Sequence, residues 1–146
     1  MDLVVITIVV SPFQQNCRLV VDRESMQAVV IDPGDEDVRI LEIVADSGAR
    51  VTHVLNTHGH IDHAGAVAPV KTALGVPFGL HSADLPILRA LPQRGSVWGI
   101  EGVEAPEVEI DLAEVRSIPF GNGEIQVLHT PGHTPGGVTF LLEEHG

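Results

Sequence analysis

Three histidines and an aspartate fall within the short segment NTHGHIDHAG, at His58, His60, Asp62 and His63. Imidazole and carboxylate groups at that density make a ligand set for a metal ion, suited to zinc and also to iron or manganese. His58 and His60 follow the apolar stretch VTHVLN. Residues two apart on an extended chain project to one side, so these two imidazoles face one point. A turn over residues 59–62 brings Asp62 and His63 round to the same space. The competing reading, polar groups solvated in a surface loop, fits the spacing and the strand-end position less well.

A fifth ligand is suggested by HTPGHTPGG. His129 ends the apolar run IQVLH and suits a packed or supporting role. His133 stands at the loop apex beside Gly132, where the backbone can approach an ion closely, and is the expected ligand. His53, His81 and His145 have no partner motif and read as ordinary exposed or hydrogen-bonded side chains. Cys17, the one cysteine, lies in the apolar segment CRLVV and reads as a small buried side chain with no catalytic role.

The elements around these residues are mostly strands. Leu3–Val10, Cys17–Asp22 and Gln27–Asp32 are β-rich runs separated by turn segments, the pattern of an antiparallel meander. After DPGDED, with Asp35 as the capping residue, Val38, Leu41, Val44 and Ala45 recur at helical spacing until Gly48. Val51–Asn56 returns to strand, and Ala66–Leu74 reads as a helix that tolerates Pro69 only in its first turn. VPFGLH is a short strand, SADLPILRAL a short helix capped by Ser82, and Pro92–Glu109 a long surface loop without periodicity. The stretch Pro92–Glu107, with Trp98, could wall a pocket or simply lie exposed. Val115–Pro119, Glu124–His129 and Gly137–Glu143 are three further strands, so the whole reads as a layered α/β protein with a mixed sheet.

The 146 residues fit one domain, 1–146. A net charge of −12, with eight basic residues among twenty acidic ones, excludes a phosphate-binding surface and hence a nucleic-acid partner. No membrane partner is expected either: the longest uncharged apolar run, LVVITIVV, is far short of the roughly 18 residues a spanning helix needs. That run also lacks a basic leader and a small-residue cleavage pattern, which points to the cytoplasm.

HxHxDH between a strand and a helix, the downstream TPGHTPGG, the upstream IDPGD and the opening FQQNCRLV together resemble the metallo-β-lactamase superfamily. Within it, they resemble the glyoxalase II-like (hydroxyacylglutathione hydrolase-like) branch, over nearly the whole chain. The resemblance implies an αββα sandwich with its metal site at one edge of two mixed sheets flanked by helices. It implies that His58, His60 and His133 hold a first ion, with Asp62 and His63 holding a second. The chemistry is then hydrolysis of a small thioester or ester by a metal-held hydroxide, Asp62 orienting the nucleophile as the catalytic carboxylate.

The resemblance has gaps. The family pattern continues to a GD turn, whose aspartate bridges two metals, and to a final histidine; glyoxalase II proper adds a C-terminal helical region. None has a counterpart before Gly146, so the chain reads as the N-terminal portion of the fold, binding one ion well and a second poorly. The last strand would lack its hairpin partner, leaving Val138, Phe140 and Leu142 uncovered and self-association through that edge expected. Two other functions follow: a catalytically silent metal-binding fragment that associates with a partner chain, and an iron-dependent persulfide dioxygenase.

Overall fold

β-Branched residues fill seven of the eight positions of LVVITIVV, and such side chains pack well on a pleated, extended backbone. In the computed structural model, which describes residues 1–143, this run forms β1 (Leu3–Val10). It pairs antiparallel with β2 (Gln15–Asp22), which pairs antiparallel with β3 (Gln27–Ile31). The chain then changes to helical crossovers. α1 (Asp37–Ser47) leads to β4 (Arg50–Leu55), parallel to β3; α2 (Ile61–Ala64) and α3 (Val67–Leu74) lead to β5 (Phe78–Leu80), parallel to β4. A 3-10 turn over Ser82–Asp84, α4 (Leu85–Arg89) and α5 (Leu91–Val97) precede β6 (Ile110–Asp111), which closes a six-stranded sheet in the order β1-β2-β3-β4-β5-β6. β7 (Ser117–Phe120), β8 (Gly123–His129) and β9 (Val138–Leu142) make a second, antiparallel sheet.

The alternation of side chains along β3 decides how the layers stack. Ala28 and Val30 join a core with Ile40, Val44, Val67 and Val70 of the helices, whereas Val29 and Ile31 join a core with Ile118, Phe120, Ile125 and Val138 of the second sheet. The first sheet is thus buried on both faces, with helices on one side and the second sheet on the other. All five α-helices put buried residues into the first core; none does so in the second. Among the described residues the αββα sandwich therefore shows three layers, helices and two sheets. Leu128 and Leu141, 45% and 40% exposed, lie on the second sheet's outer face.

Several expectations need correction. Val138, Phe140 and Leu142 are not left uncovered: Val138 is buried between the sheets and the other two pack against that core. What β9 leaves open among the described residues is its backbone edge, since it pairs with β8 alone. The long loop after residue 91 starts as a helix, α5, with Pro92 in its first turn, where a missing N–H costs nothing. Glu36, at φ 58°, is the residue before α1, and Asp35 instead accepts a hydrogen bond from the Glu36 N–H at 2.7 Å. His81, not Ser82, caps the 3-10 turn, its Nδ1 accepting from the Ala83 N–H. The two-residue strand β6 has no sequence signature at all. His145 lies outside the described residues. No helix among those residues is long and apolar enough to cross a membrane.

Candidate metal centre

Parallel strands bring their carboxyl ends to one edge of a sheet, and a crevice beyond those ends is where such sheets receive ligands. Here β3 ends at Ile31 and delivers Asp32, β4 ends at Leu55 and delivers residues 56–63, and β5 ends at Leu80 and delivers Asp84. β8, from the second sheet, runs into the loop that carries His133.

His58, His60 and His133 each offer a ring nitrogen within 4.8 Å of the others. Their rings stand nearly perpendicular in every pair, at 87°, 86° and 90°, with centroids 4.8–5.2 Å apart. His60 Nδ1 and His133 Nε2 face each other at 3.2 Å. The hydrogen bonds around His58 settle its tautomer. The Thr57 hydroxyl donates its one proton to Asp32 Oδ2 at 2.6 Å, so toward His58 Nδ1, at 2.9 Å, it can only accept. Nδ1 therefore carries the proton and Nε2 keeps a lone pair. That Nε2 is buried and has no hydrogen-bond partner. An orphaned buried acceptor next to two facing ring nitrogens fits a bound cation, which would satisfy all three; His58, His60 and His133 are the residues that would hold it.

His63 is built differently. Its Nδ1 lies 2.9 Å from Asp32 Oδ2, an arrangement in which the ring donates to the carboxylate and leaves Nε2 free. Nε2 is 3.6 Å from Asp62 Oδ2. Asp32, His58 and His63 are also close enough to share an ion. However, Asp32 already accepts from the Thr57 N–H at 2.7 Å and the Thr57 hydroxyl, besides His63, so it is better placed to orient two imidazoles than to ligate. Asp62 sits beside His63 and does not fall within the His58, His60, His133 group. His129 stays outside too, stacked on His81 at 4.3 Å and bonded through Nε2 to the Pro135 carbonyl. The Cys17 thiol is pushed up to about 12 by burial and by the charge of Asp32, so it offers no thiolate.

Two supports escaped sequence reasoning. Asp32 appeared there only inside the IDPGD motif, with no role. Asp84, fully buried, accepts from the Gly59 N–H at 3.0 Å, the Thr134 hydroxyl at 2.8 Å and the Gly136 N–H at 2.7 Å. One carboxylate thereby ties the loop between His58 and His60 to the loop that follows His133. A backbone bond from the Val138 N–H to the Thr57 carbonyl, 2.9 Å, joins the same two loops. Gly34 supports the turn at Asp62 from below: a Cβ there would lie 1.8 Å from the Asp62 carbonyl oxygen, so only glycine permits the approach.

Burial pushes the His58 imidazole down to about 4, the nearby His63 adding to the effect and Asp32 opposing it. His63 is also disfavoured as a cation by burial, but its hydrogen bond to Asp32 and the charges of Asp32 and Asp62 outweigh this and raise its pKa. The two act oppositely on the metal-free protein. Between the ordinary value of 6.5 and about 4, the unfolded chain takes up a proton that folded His58 refuses, so stability falls as pH falls. His63 contributes stability below its unfolded value and loses it as pH rises through its raised folded value. Denaturant unfolding of metal-free protein from pH 7 to pH 4 should show His58→Ala losing less stability on acidification than the wild type. Parallel losses in the two proteins would remove His58 as the cause.

A cleft of about 460 Å³ opens beside His60 and Asp62. Ile61, Pro86, Ile87, Leu91 and Trp98 give it apolar walls, and Arg94 is its one basic residue. A cluster of ligand-type side chains beside a cleft that mixes apolar walls with a few polar groups is the arrangement of a small-molecule site.

Comparison with known proteins gives the relationship. The sequence is 34% identical over 138 residues to the hydroxyacylglutathione hydrolase GloC of Haemophilus influenzae, covering 92% of this chain and 64% of that one. It is 35% identical over 119 residues to a hydroxyacylglutathione hydrolase of Anaeromyxobacter dehalogenans, covering 82% of this chain and 38% of the relative. The fold superposes on the BLEG-1 B3 metallo-beta-lactamase with a TM-score of 0.82 at 28% identity, over 94% of this chain and 66% of that one. It superposes on TTHA1623 in a di-iron-bound form with a TM-score of 0.78 at 35% identity, over 93% and 66% of the two chains. The chain thus spans about two thirds or less of the length of these relatives. Residues 10–146 match the family's own sequence pattern, and the chain belongs to the metallo-beta-lactamase superfamily.

Proposed function

We propose that this chain carries the metal centre of a hydrolase acting on small thioesters or esters, of the hydroxyacylglutathione hydrolase kind, with zinc as the ion and iron as the alternative. The observation that carries the reading is the unpartnered Nε2 of His58 beside the facing nitrogens of His60 and His133, at the mouth of a cleft. The 34% identity to GloC supports the substrate class. The likeness to a di-iron-bound structure supports iron as the alternative.

A divalent cation at such a site supplies Lewis acidity, which lowers the pKa of water and polarises a carbonyl. The chain's own residues do the rest. Thr57 and Asp32 hold His58 with its Nε2 lone pair turned to the centre, and Asp32 turns His63 so that its Nε2 faces Asp62. Asp62, 36% exposed at the side chain, is placed to accept a hydrogen bond from an attacking water and so aim its lone pair. Asp84 keeps both histidine loops at a fixed separation while this happens.

Hydrolysis of S-lactoylglutathione by the purified protein is expected to disappear with a chelator and to return on reloading with zinc, iron or manganese. Bound metal without turnover on any thioester or ester would sink the hydrolase reading and leave a silent metal-binding chain. Oxygen consumption with glutathione persulfide in the iron-loaded protein, without hydrolysis, would replace it with the dioxygenase.

A further inference from the structure

The wall of the cleft contributed by α5 has a charge with nothing to neutralise it. Ala90, Leu91, Arg94 and Trp98 follow the helical spacing that puts side chains on one face, and all four line the cleft that also reaches His60 and Asp62. Arg94 is exposed, and its guanidinium has no ion pair or hydrogen bond among the described residues. Five of the eight basic side chains, Arg18, Arg50, Arg89, Arg94 and Arg116, have no such partner among the described residues, and Arg94 is the one of them that lines this cleft. The other side chains that line the cleft are apolar apart from His60 and Asp62, and about half of its lining surface is polar. Trp98, 58% exposed, also lines it, with its ring set edge-on to Phe13 at a centroid distance of 5.4 Å.

In a protein of net charge −12, the long-range field repels an anionic substrate. A guanidinium in the cleft wall reverses that field locally, because at contact distance its own charge outweighs the screened charges farther away. Its planar fork of donors matches a carboxylate in a way that an ammonium does not. We infer that the cleft selects thioesters or esters that carry a carboxylate on the arm remote from the scissile carbonyl, and that Arg94 binds that carboxylate. The inference rests on the hydrolase reading for the reaction, and on the placement of Arg94 for the selectivity.

The test uses two thioesters with the same acyl group, one of 3-mercaptopropionate, which carries a carboxylate, and one of N-acetylcysteamine, which is neutral. The metal-loaded wild type should prefer the first. In Arg94→Ala the ratio of kcat/KM values should fall by about 2- to 10-fold, the range for losing a solvent-exposed charge partner, and the fall should lie in KM. Arg94→Lys should restore part of the preference, and Arg94→Glu should invert it. Added salt should erode the preference of the wild type and leave that of Arg94→Ala unchanged. Calorimetric binding of the non-hydrolysable thioether analogue of the anionic substrate, to wild type and to Arg94→Ala, reads the subsite without turnover. If the wild type hydrolyses neither thioester but binds the analogue, and Arg94→Ala does not, the hydrolase reading fails and the carboxylate subsite stands. A ratio and an analogue affinity both indifferent to Arg94→Ala would overturn the subsite.

Discussion

Asp84→Ala is expected to cost about 3–5 kcal/mol of unfolding free energy, because three buried donors each lose an acceptor worth about 1–3 kcal/mol and cannot reach water. Those donors are the Gly59 N–H, the Thr134 hydroxyl and the Gly136 N–H. Asp84→Asn should do little better. Its amide presents one oxygen and one NH2 where the site needs two acceptors, so a donor would face a donor. The loss should appear twice: as a lower urea midpoint in the metal-free protein, and as weaker metal uptake, since the two histidine loops would no longer be held together. A variant with an unchanged midpoint would show that the three donors find other partners and that Asp84 is not the tie.

His58→Ala should have the largest effect on metal binding. Changes to residues that only orient a ligand typically cost 10–100-fold in affinity, and removal of a ligand should exceed about 100-fold. The same substitution deletes the unpartnered buried Nε2 together with the Nδ1–H that bonds the Thr57 hydroxyl, so lost hydrogen bonding should cost the metal-free form about 1 kcal/mol near neutral pH, the net worth of one bond. Competition with a chromophoric chelator would measure the first effect and denaturant unfolding the second. Unchanged zinc, iron and manganese affinities in His58→Ala and in His133→Ala would discard the proposed centre. Asp62→Asn makes a useful contrast, because Asp62 stands outside the three-histidine group: it should cut turnover more than it cuts affinity for the first ion.

The histidines were legible because their chemistry is written locally. Four ligand-type residues lie between 58 and 63, and an apolar strand precedes them, so spacing alone brings them near one point. His133 could be preferred over His129 from the glycine and proline around it. Asp84 could not be read, since its partners lie 25, 50 and 52 positions away and the contact exists only once β5 and β8 have been folded to the same edge. Asp32 was visible only as part of a motif; its role depends on a left-handed backbone, φ 56°, that no local pattern announces. β1 to β4 of the first sheet were clear from their β-branched content, whereas the two-residue β6 was not. α5 was hidden because Pro92 and Gly95 look like breakers. Proline is harmless in a first turn, and Gly95 is there because a Cβ would sit 2.6 Å from the Ile100 carbonyl oxygen.

Two of the three imidazoles hang from β4 and the third from the end of β8, so they belong to different sheets. Occupancy of the centre and closure of the seam between the layers are then a single linked equilibrium: whatever fills the site rivets one sheet to the other. Amide exchange in residues 130–137 should slow sharply on metal loading while α1 hardly responds, and metal depletion would offer that hinge to proteases before the helical layer loosens.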